Sequence, residues 1–258
     1  MLSYSDLKSG LTTLSLSKNQ VIAHASLKAF GSVDAETMLN ALLDTTRGVI
    51  MPAFTYKTML NPEVGPPNNG MAYGAQLDLN KLAEAFHTDM PVDPMMGVLA
   101  EVLRKHPEAR RSSHPIQSFA GVHADAILNS QSIFDSLAPI RLLVDNDGWV
   151  LLLGVDHAVN TSIHYAEKLA GRLQFIRWAL TRERVVECPG FPGDSEGFNA
   201  IAADVEKYTR RVEIGGALVQ AVHLKSLVQA VLQKIKEDPF ALLCERGDCE
   251  RCNAVRWS

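Results

Sequence analysis

Apolar residues recur along the chain with two periods, and the switches between them mark out alternating helices and strands. Leu7, Leu11 and Leu14 share one stripe, which predicts a helix over residues 4–16 capped by Ser5 or Asp6. Residues 20–23 then read as a short buried strand ending at His24, and residues 24–33 as a loop rich in small side chains. Met38, Leu39, Leu42 and Leu43 predict a helix over 34–43, with Asp34 as N-cap. Residues 48–52 form a second buried strand that stops at Pro52. Further on, helices are predicted over 96–105, 122–130, 161–173, 195–209 and 224–238. A strand is predicted near 117–121. Residues 149–155 carry the most apolar run and read as a central strand buried on both faces. Residues 174–181 and 184–188 suggest an antiparallel pair around a charged turn, and residues 244–258 a short polar tail.

The order strand, loop, helix, strand is a βαβ unit, so the first two strands should be parallel with a right-handed crossover. The fold class expected is α/β, with a mostly parallel central sheet flanked by helices and a small antiparallel extension. At 258 residues, one domain spanning 1–258 is favoured over two. Residues 56–78 interrupt the pattern. Pro62, Pro66, Pro67, Asn68, Asn69, Gly70 and Gly74 make a long loop of the length usually kept for function, here read as a substrate-side loop.

Composition narrows the function. Hydrophobic residues at 47% and charged residues at 21% argue against disorder. A net charge of −4 gives no reason to expect nucleic-acid binding, whereas a mildly acidic protein suits a cationic small molecule. Residues 1–10 lack the apolar core of a signal peptide, and no run approaches the ~18 apolar residues of a membrane span. A cytoplasmic location is therefore expected, with no membrane partner and a monomer or homodimer as the working state.

Four segments carry candidate chemistry. The strand ending at Val155 is followed by a loop and a helix that Asn160 or Thr161 can cap, and His164 lies one turn into that helix. Ligands of open α/β sheets sit at such strand ends. Glu167, three residues on, shares a face with His164, which permits an imidazole base beside a carboxylate or simply a surface pair. Arg110, Arg111, Ser112, Ser113 and His114 suit a phosphate but equally a solvated basic turn. His24, Ala25, Ser26 and Lys28 follow a strand and can grip an extended ligand. Cys244, Cys249 and Cys252 offer three metal ligands. Nothing in the sequence brings His223 or Cys188 to them as the fourth, so no metal site is assigned. Cys188 can also be read as an acyl-carrying nucleophile, although a structural thiol is the better reading.

In this order the segments resemble the aminoglycoside 3-N-acetyltransferase family across nearly the whole chain. Ile22-Ala23-His24-Ala25-Ser26-Leu27 matches its V-H-S-S-L-like loop, Met51-Pro52-Ala53-Phe54-Thr55 its M-P-x-F-T strand end, and Pro94-Met95-Met96-Gly97 its P-x-M-G. Arg111 to Pro115 matches R-S-x-H-P, and Leu152 to Glu167 matches L-L-G-V with N-T-x-x-H-x-A-E. Gly215-Gly216-Ala217, Asp238-Pro239 and Cys249-x-x-Cys252 resemble the family's C-terminal end. The resemblance implies acetyl-coenzyme A as acyl donor and a small-molecule amine as acceptor, with antibiotic resistance as the biological setting. It implies His164 as the group activating the amine, with Glu167 or another carboxylate beside it. It also implies His24, Ala25, Ser26, Lys28, Arg111, Ser112, Ser113 and Phe119 as donor-binding residues, with Thr161 near the thioester. Three departures stand out: Ala25 replaces the first serine of H-S-S, Cys188-Pro189-Gly190-Phe191 occupies the region of an acidic residue some thirty positions after the histidine, and residues 61–74 hold a single acidic residue, Glu63. Three alternatives remain: a related acyltransferase for another amine, a non-catalytic binding module, and a zinc hydrolase built on His164, His157, His114 and the tail cysteines.

Overall fold

Ser3 and Asp34 start the first two helices. In the computed structural model, which describes residues 2–75 and 77–258, Met1 and Gln76 lie outside the described residues. They belong to the stretches read above as the N terminus and the long loop. Helix α1 (Tyr4–Thr13) is capped by Ser3, and Ser3 and Asp6 bond reciprocally, so the cap lies earlier than Ser5. Leu7 and Leu11 are the residues it buries. Helix α2 (Ala35–Thr45) begins as expected, with the Asp34 carboxylate accepting from Thr37 N–H at 2.8 Å.

Strands β1 (Gln20–Ala25) and β2 (Gly48–Pro52) flank α2 and pair in parallel. Strand β6 (Trp149–Leu153) pairs in parallel with the other side of β1. These three strands form the parallel centre, and they are buried on both faces. Val21, Ala23, Val49, Met51, Leu151 and Leu153 point into one apolar layer with α1, α2 and α3 (Val98–Lys105). Ile22, Ile50, Val150 and Leu152 point into the opposite layer, under α5 (Ala138–Asp145) and α7 (Leu224–Glu237). A period of two with both faces apolar gives the continuous hydrophobic runs of the sequence.

The sheet continues in antiparallel steps on both sides. Strands β5 (Phe119–Val122) and β4 (Arg110–Arg111) extend it beyond β2, and β10 (Ala217–His223) and β9 (Thr209–Ile214) extend it beyond β6. The order is β4-β5-β2-β1-β6-β10-β9. The expected parallel sheet is thus the middle of a mixed seven-stranded one. The expected antiparallel extension is a separate three-stranded sheet of β3 (Met59–Leu60), β7 (Phe175–Leu180) and β8 (Val185–Phe191).

Several expectations need correction. Residues 195–209 form two short 3₁₀ segments, Glu196–Ile201 and Glu206–Tyr208, rather than one helix. The Asn199 side chain there is drawn out to Asp156 and to Ala158 N–H, and tertiary bonds of this kind override a weak helical pattern. The C-terminal stretch is not a polar tail. It forms helix α8 (Glu250–Arg256) and buries three cysteines. Much of the 56–78 loop is held in place by β7: Asn69 exchanges bonds with the Ile176 N–H and carbonyl, and Arg177 donates to the Asn69 and Gly70 carbonyls. Helix α6 (Ser162–Leu169) is shorter than read, and α4 (Asp125–Asn129) occupies part of 122–130. Among the described residues, no helix is long and apolar enough to cross a membrane.

Candidate active site

Parallel strands present their carboxyl ends on one side, and there the chain turns outward on two glycines. Gly154, just past β6, has φ +64°, and a Cβ on it would sit 2.5 Å from the Ala29 Cβ. Gly97 has φ +83°, and its Cβ would lie 3.2 Å from the Ala25 carbonyl oxygen. Only glycine allows that backbone conformation and that approach without strain. The ends of β1, β2 and β6 thereby surround a cavity of about 710 Å³. That size suits a substantial ligand.

His24, Ala25, Ser26 and Lys28 line this cavity from the β1 side, and Thr161 and His164 from α6. His164 and its neighbours form a chain of contacts. Thr161 is the α6 N-cap residue, but the side chain that bonds the first turn is Asn160, whose Oδ1 accepts from Ser162 N–H at 3.1 Å. One turn in, His164 Nδ1 lies 2.8 Å from Glu167 Oε2. Glu167 Oε1 accepts from Arg172 Nη1 at 2.6 Å, and Arg172 Nη2 donates to the Pro239 and Ala241 carbonyls. A carboxylate can only accept, so Nδ1 carries the proton and Nε2 is left as the basic nitrogen. The edge of Phe198 steadies the ring at a centroid distance of 4.7 Å. Glu167 itself is fully buried and outside the cavity lining, so its carboxylate reaches the cavity only through the imidazole.

Four of the expected donor-binding residues stand elsewhere. Arg111 spends its donors on the Thr88, Met90 and Ala53 carbonyls and on Ser118 Oγ, and burial lowers its guanidinium to about 10. Ser112 Oγ accepts from Phe119 N–H at 2.8 Å. Phe119 packs edge-on against Phe54 in the core, and Ser113 faces solvent away from the cavity lining. This segment braces the cavity from behind, and Gln117 is its member in the lining. Of the long loop, Tyr56 reaches the cavity. Cys188 is buried beside Phe175 and Phe191, outside the lining, and burial pushes its thiol up to about 12, a poor nucleophile.

Of the other lining groups, the sequence left Asp194 open, beside Glu196 and Glu167, as a support for the histidine, and it gave Arg251 no role. Asp194 and Arg251 both face the cavity. Asp194 stands thirty residues after His164, the spacing at which the resemblance called for an acid. Its Oδ2 is held by Arg246 and Arg251 at 3.2 and 3.1 Å. Arg172 gave no signal: Glu167 is five residues away, but the Pro239 and Ala241 carbonyls that hold the guanidinium come from far along the chain.

Buried imidazoles give the site a pH signature. Burial lowers His24 to about 3 and His114 to about 4 from an ordinary 6.5, and it lowers His157 as well. The folded protein leaves them neutral where the unfolded chain protonates them. Stability is therefore complete above about pH 6.5 and falls with pH below it, by about 1.4 kcal/mol per pH unit for each histidine so affected. Glu101, held to about 2 by Arg104, adds its loss only below about pH 4.5. Urea midpoints that stayed flat between pH 7 and 4.5 would contradict this assignment.

Comparison with known proteins bears on the same residues. The family model for aminoglycoside 3-N-acetyltransferase matches residues 22–236. The aminoglycoside N(3)-acetyltransferase III of Salmonella sp is 32% identical over 226 residues, covering 75% of this chain and 76% of its own. The prophage-derived aminoglycoside N(3')-acetyltransferase-like protein YokD of Bacillus subtilis is 31% identical over 172 residues, 62% of this chain and 60% of its own length. Against the curated relative aminoglycoside N(3)-acetyltransferase IV of Salmonella sp the match is 36% but spans 32% of that protein. The fold is that of the aminoglycoside acetyltransferase AAC(3)-IVa apoenzyme, with a TM-score of 0.79, 22% identity, and 100% and 97% of the two chains covered. It is also that of AAC-IIIb, solved as a binary complex with CoASH, with a TM-score of 0.72, 21% identity, and 91% and 96% covered. With the segments at 22–27, 51–55, 94–97 and 152–167 gathered around one cavity, and a family match over most of its length, the chain belongs to the aminoglycoside 3-N-acetyltransferase family.

Proposed function

We propose that residues 1–258 act as one cytoplasmic domain that transfers an acetyl group from acetyl-coenzyme A to an amine of an aminoglycoside-like acceptor. The observation that carries this reading is the His164–Glu167–Arg172 chain, with His164 in the wall of a cavity at the ends of the parallel strands. Support for the donor comes from AAC-IIIb, a protein of the same fold that binds CoASH. Lys28, exposed at the rim, suits the donor's phosphates, and the His24–Ser26 turn suits its extended arm. The lost hydroxyl at Ala25 leaves the backbone of that turn in place.

An alkylammonium has no lone pair for attack. In the proposed reaction the ammonium first gives up one proton to solvent, and His164 Nε2 takes a second proton from the nitrogen as the resulting neutral amine attacks the thioester carbonyl, with both substrates bound together. The C–N bond forms, the C–S bond breaks, and the proton passes from the imidazolium to the leaving sulfur. Glu167 holds the tautomer that makes this possible and balances the transient imidazolium charge. Thr161 lies beside the base, at the point where the thioester would sit. No step uses Cys188.

Charge in the cavity bears on the acceptor. Relatives of the same fold are solved with gentamicin and with apramycin, which are polycations. Here the cavity carboxylate of Asp194 is already shared by two arginines. This favours an amine of lower charge as a second reading. A coenzyme A release assay with gentamicin, apramycin and simple primary amines tests both. Thiol release above background with at least one amine is expected. No release with any of them, from protein that binds coenzyme A by calorimetry, overturns the acetyl-transfer reading.

A further inference from the structure

Three thiols and a carboxylate converge about one point at the edge of the cavity, where Asp194 is also part of the lining. The ligand atoms of Asp194, Cys244, Cys249 and Cys252 all lie within 4.8 Å of one another. Neither residue weighed from the sequence as a fourth partner is near: Cys188 is packed in the β7–β8 cluster and His223 pairs with Asp147. The fourth group is Asp194, from the segment that follows β8. We propose that these four residues form a structural zinc site, tying the C-terminal helix α8 to the wall of the cavity. This goes beyond the acyl-transfer reading and does not depend on it.

The donor set fits zinc. Thiolates at about 2.3 Å from a tetrahedral ion stand roughly 3.8 Å apart, which the cluster's spacing allows. Cys249 caps α8 and Cys252 lies in its first turn, so the helix start aims both sulfurs the same way. All three cysteines are almost fully buried, and Asp194 is 9% exposed, as a closed structural site requires. The cysteines form an apolar cluster of their own beside Leu243, apart from the two main layers. Three thiolates and a carboxylate against a divalent ion leave an excess of negative charge. Arg246 and Arg251, both within hydrogen-bonding reach of Asp194 Oδ2, supply the compensation from the surrounding layer. Asp194 Oδ1 also accepts from Glu196 N–H, which fixes the carboxylate's orientation. A disulfide would use two of the sulfurs and strand the third, and all four cysteines of the chain are free.

The test is metal analysis of full-length protein purified without a metal-affinity step from zinc-supplemented culture. About one zinc per chain is expected to survive gel filtration. Cobalt(II) exchanged into the site should show thiolate-to-metal charge transfer and the visible bands of a tetrahedral ion. The Cys249→Ser/Cys252→Ser double variant should lose the metal, while Cys188→Ser keeps it. Should the double variant not fold, mercurial titration of the wild-type protein gives the same answer: zinc is released in step with three thiols. Asp194→Asn should alter the cobalt bands and keep the charge transfer; unchanged bands remove Asp194 from the ligand set. Wild-type protein without zinc and without a cobalt–thiolate band, or with a disulfide among these cysteines under reducing conditions, overturns the proposal.

Discussion

Replacing His164 with alanine is expected to lower turnover by about 10²–10⁴-fold, the range a lost general base produces. Affinity for coenzyme A, read by calorimetry, should stay near that of the wild type, because the turn at His24–Ser26 and Lys28, which we propose holds the donor, is untouched. The separation of the two readouts matters. A folding defect or a collapsed cavity would weaken both together. His164 packs against Phe198, so a shape-retaining His164→Gln variant should fall by a similar factor. That variant keeps a side chain of comparable reach but provides no base. Turnover within a few-fold of wild type in either variant removes the imidazole from the reaction.

Arg172→Met should cost about 3–5 kcal/mol of stability, the penalty for breaking a buried ion pair by deleting one partner. The pair is unusually dry, with side-chain exposures of 3% for Arg172 and 1% for Glu167. Deletion leaves the Glu167 carboxylate leaning on the His164 imidazole and frees the Pro239 and Ala241 carbonyls. Denaturant unfolding reads the loss. The paired variant Arg172→Met/Glu167→Leu should recover much of the stability, since two apolar side chains replace the pair without an orphan charge. It should not recover turnover, because the imidazole then lacks the group that fixes its tautomer. A loss below about 1 kcal/mol for Arg172→Met would mean that water reaches the pair after all.

Sequence alone carried the parallel centre of the sheet. Asp34, the 48–52 run and the 149–153 run each obey a local rule, and tertiary structure had no reason to override it. The pairing of His164 with Glu167 was legible for the same reason, since a three-residue offset on a helix is a local fact, whereas a role for the histidine came with the family resemblance. The antiparallel flank of β9 and β10 escaped notice because Gly215 and Gly216 were read as motif residues rather than as the turn of a hairpin. Arg111 and Ser112 looked like anion ligands because residue type does not reveal where a guanidinium's donors will be spent. Here they meet main-chain carbonyls brought from residues 53, 88 and 90. Arg172 is held by carbonyls, and Asp194 by Arg246 and Arg251, across more than fifty residues of chain, contacts that no spacing rule reaches, although the thirty-residue offset of Asp194 from His164 was there to read.

The family match ends at residue 236, yet the carbonyls that grip Arg172 lie at 239 and 241. The carboxylate beside His164 and the carbonyls that hold its arginine therefore come from separate segments, joined through Arg172. A change in the backbone path at 239–241 would move that guanidinium and, through Glu167, the seat of the imidazole, with the residues of the N-T-x-x-H-x-A-E stretch unchanged. The ring at the cavity wall thus takes part of its orientation from main-chain atoms that lie beyond the matched segment.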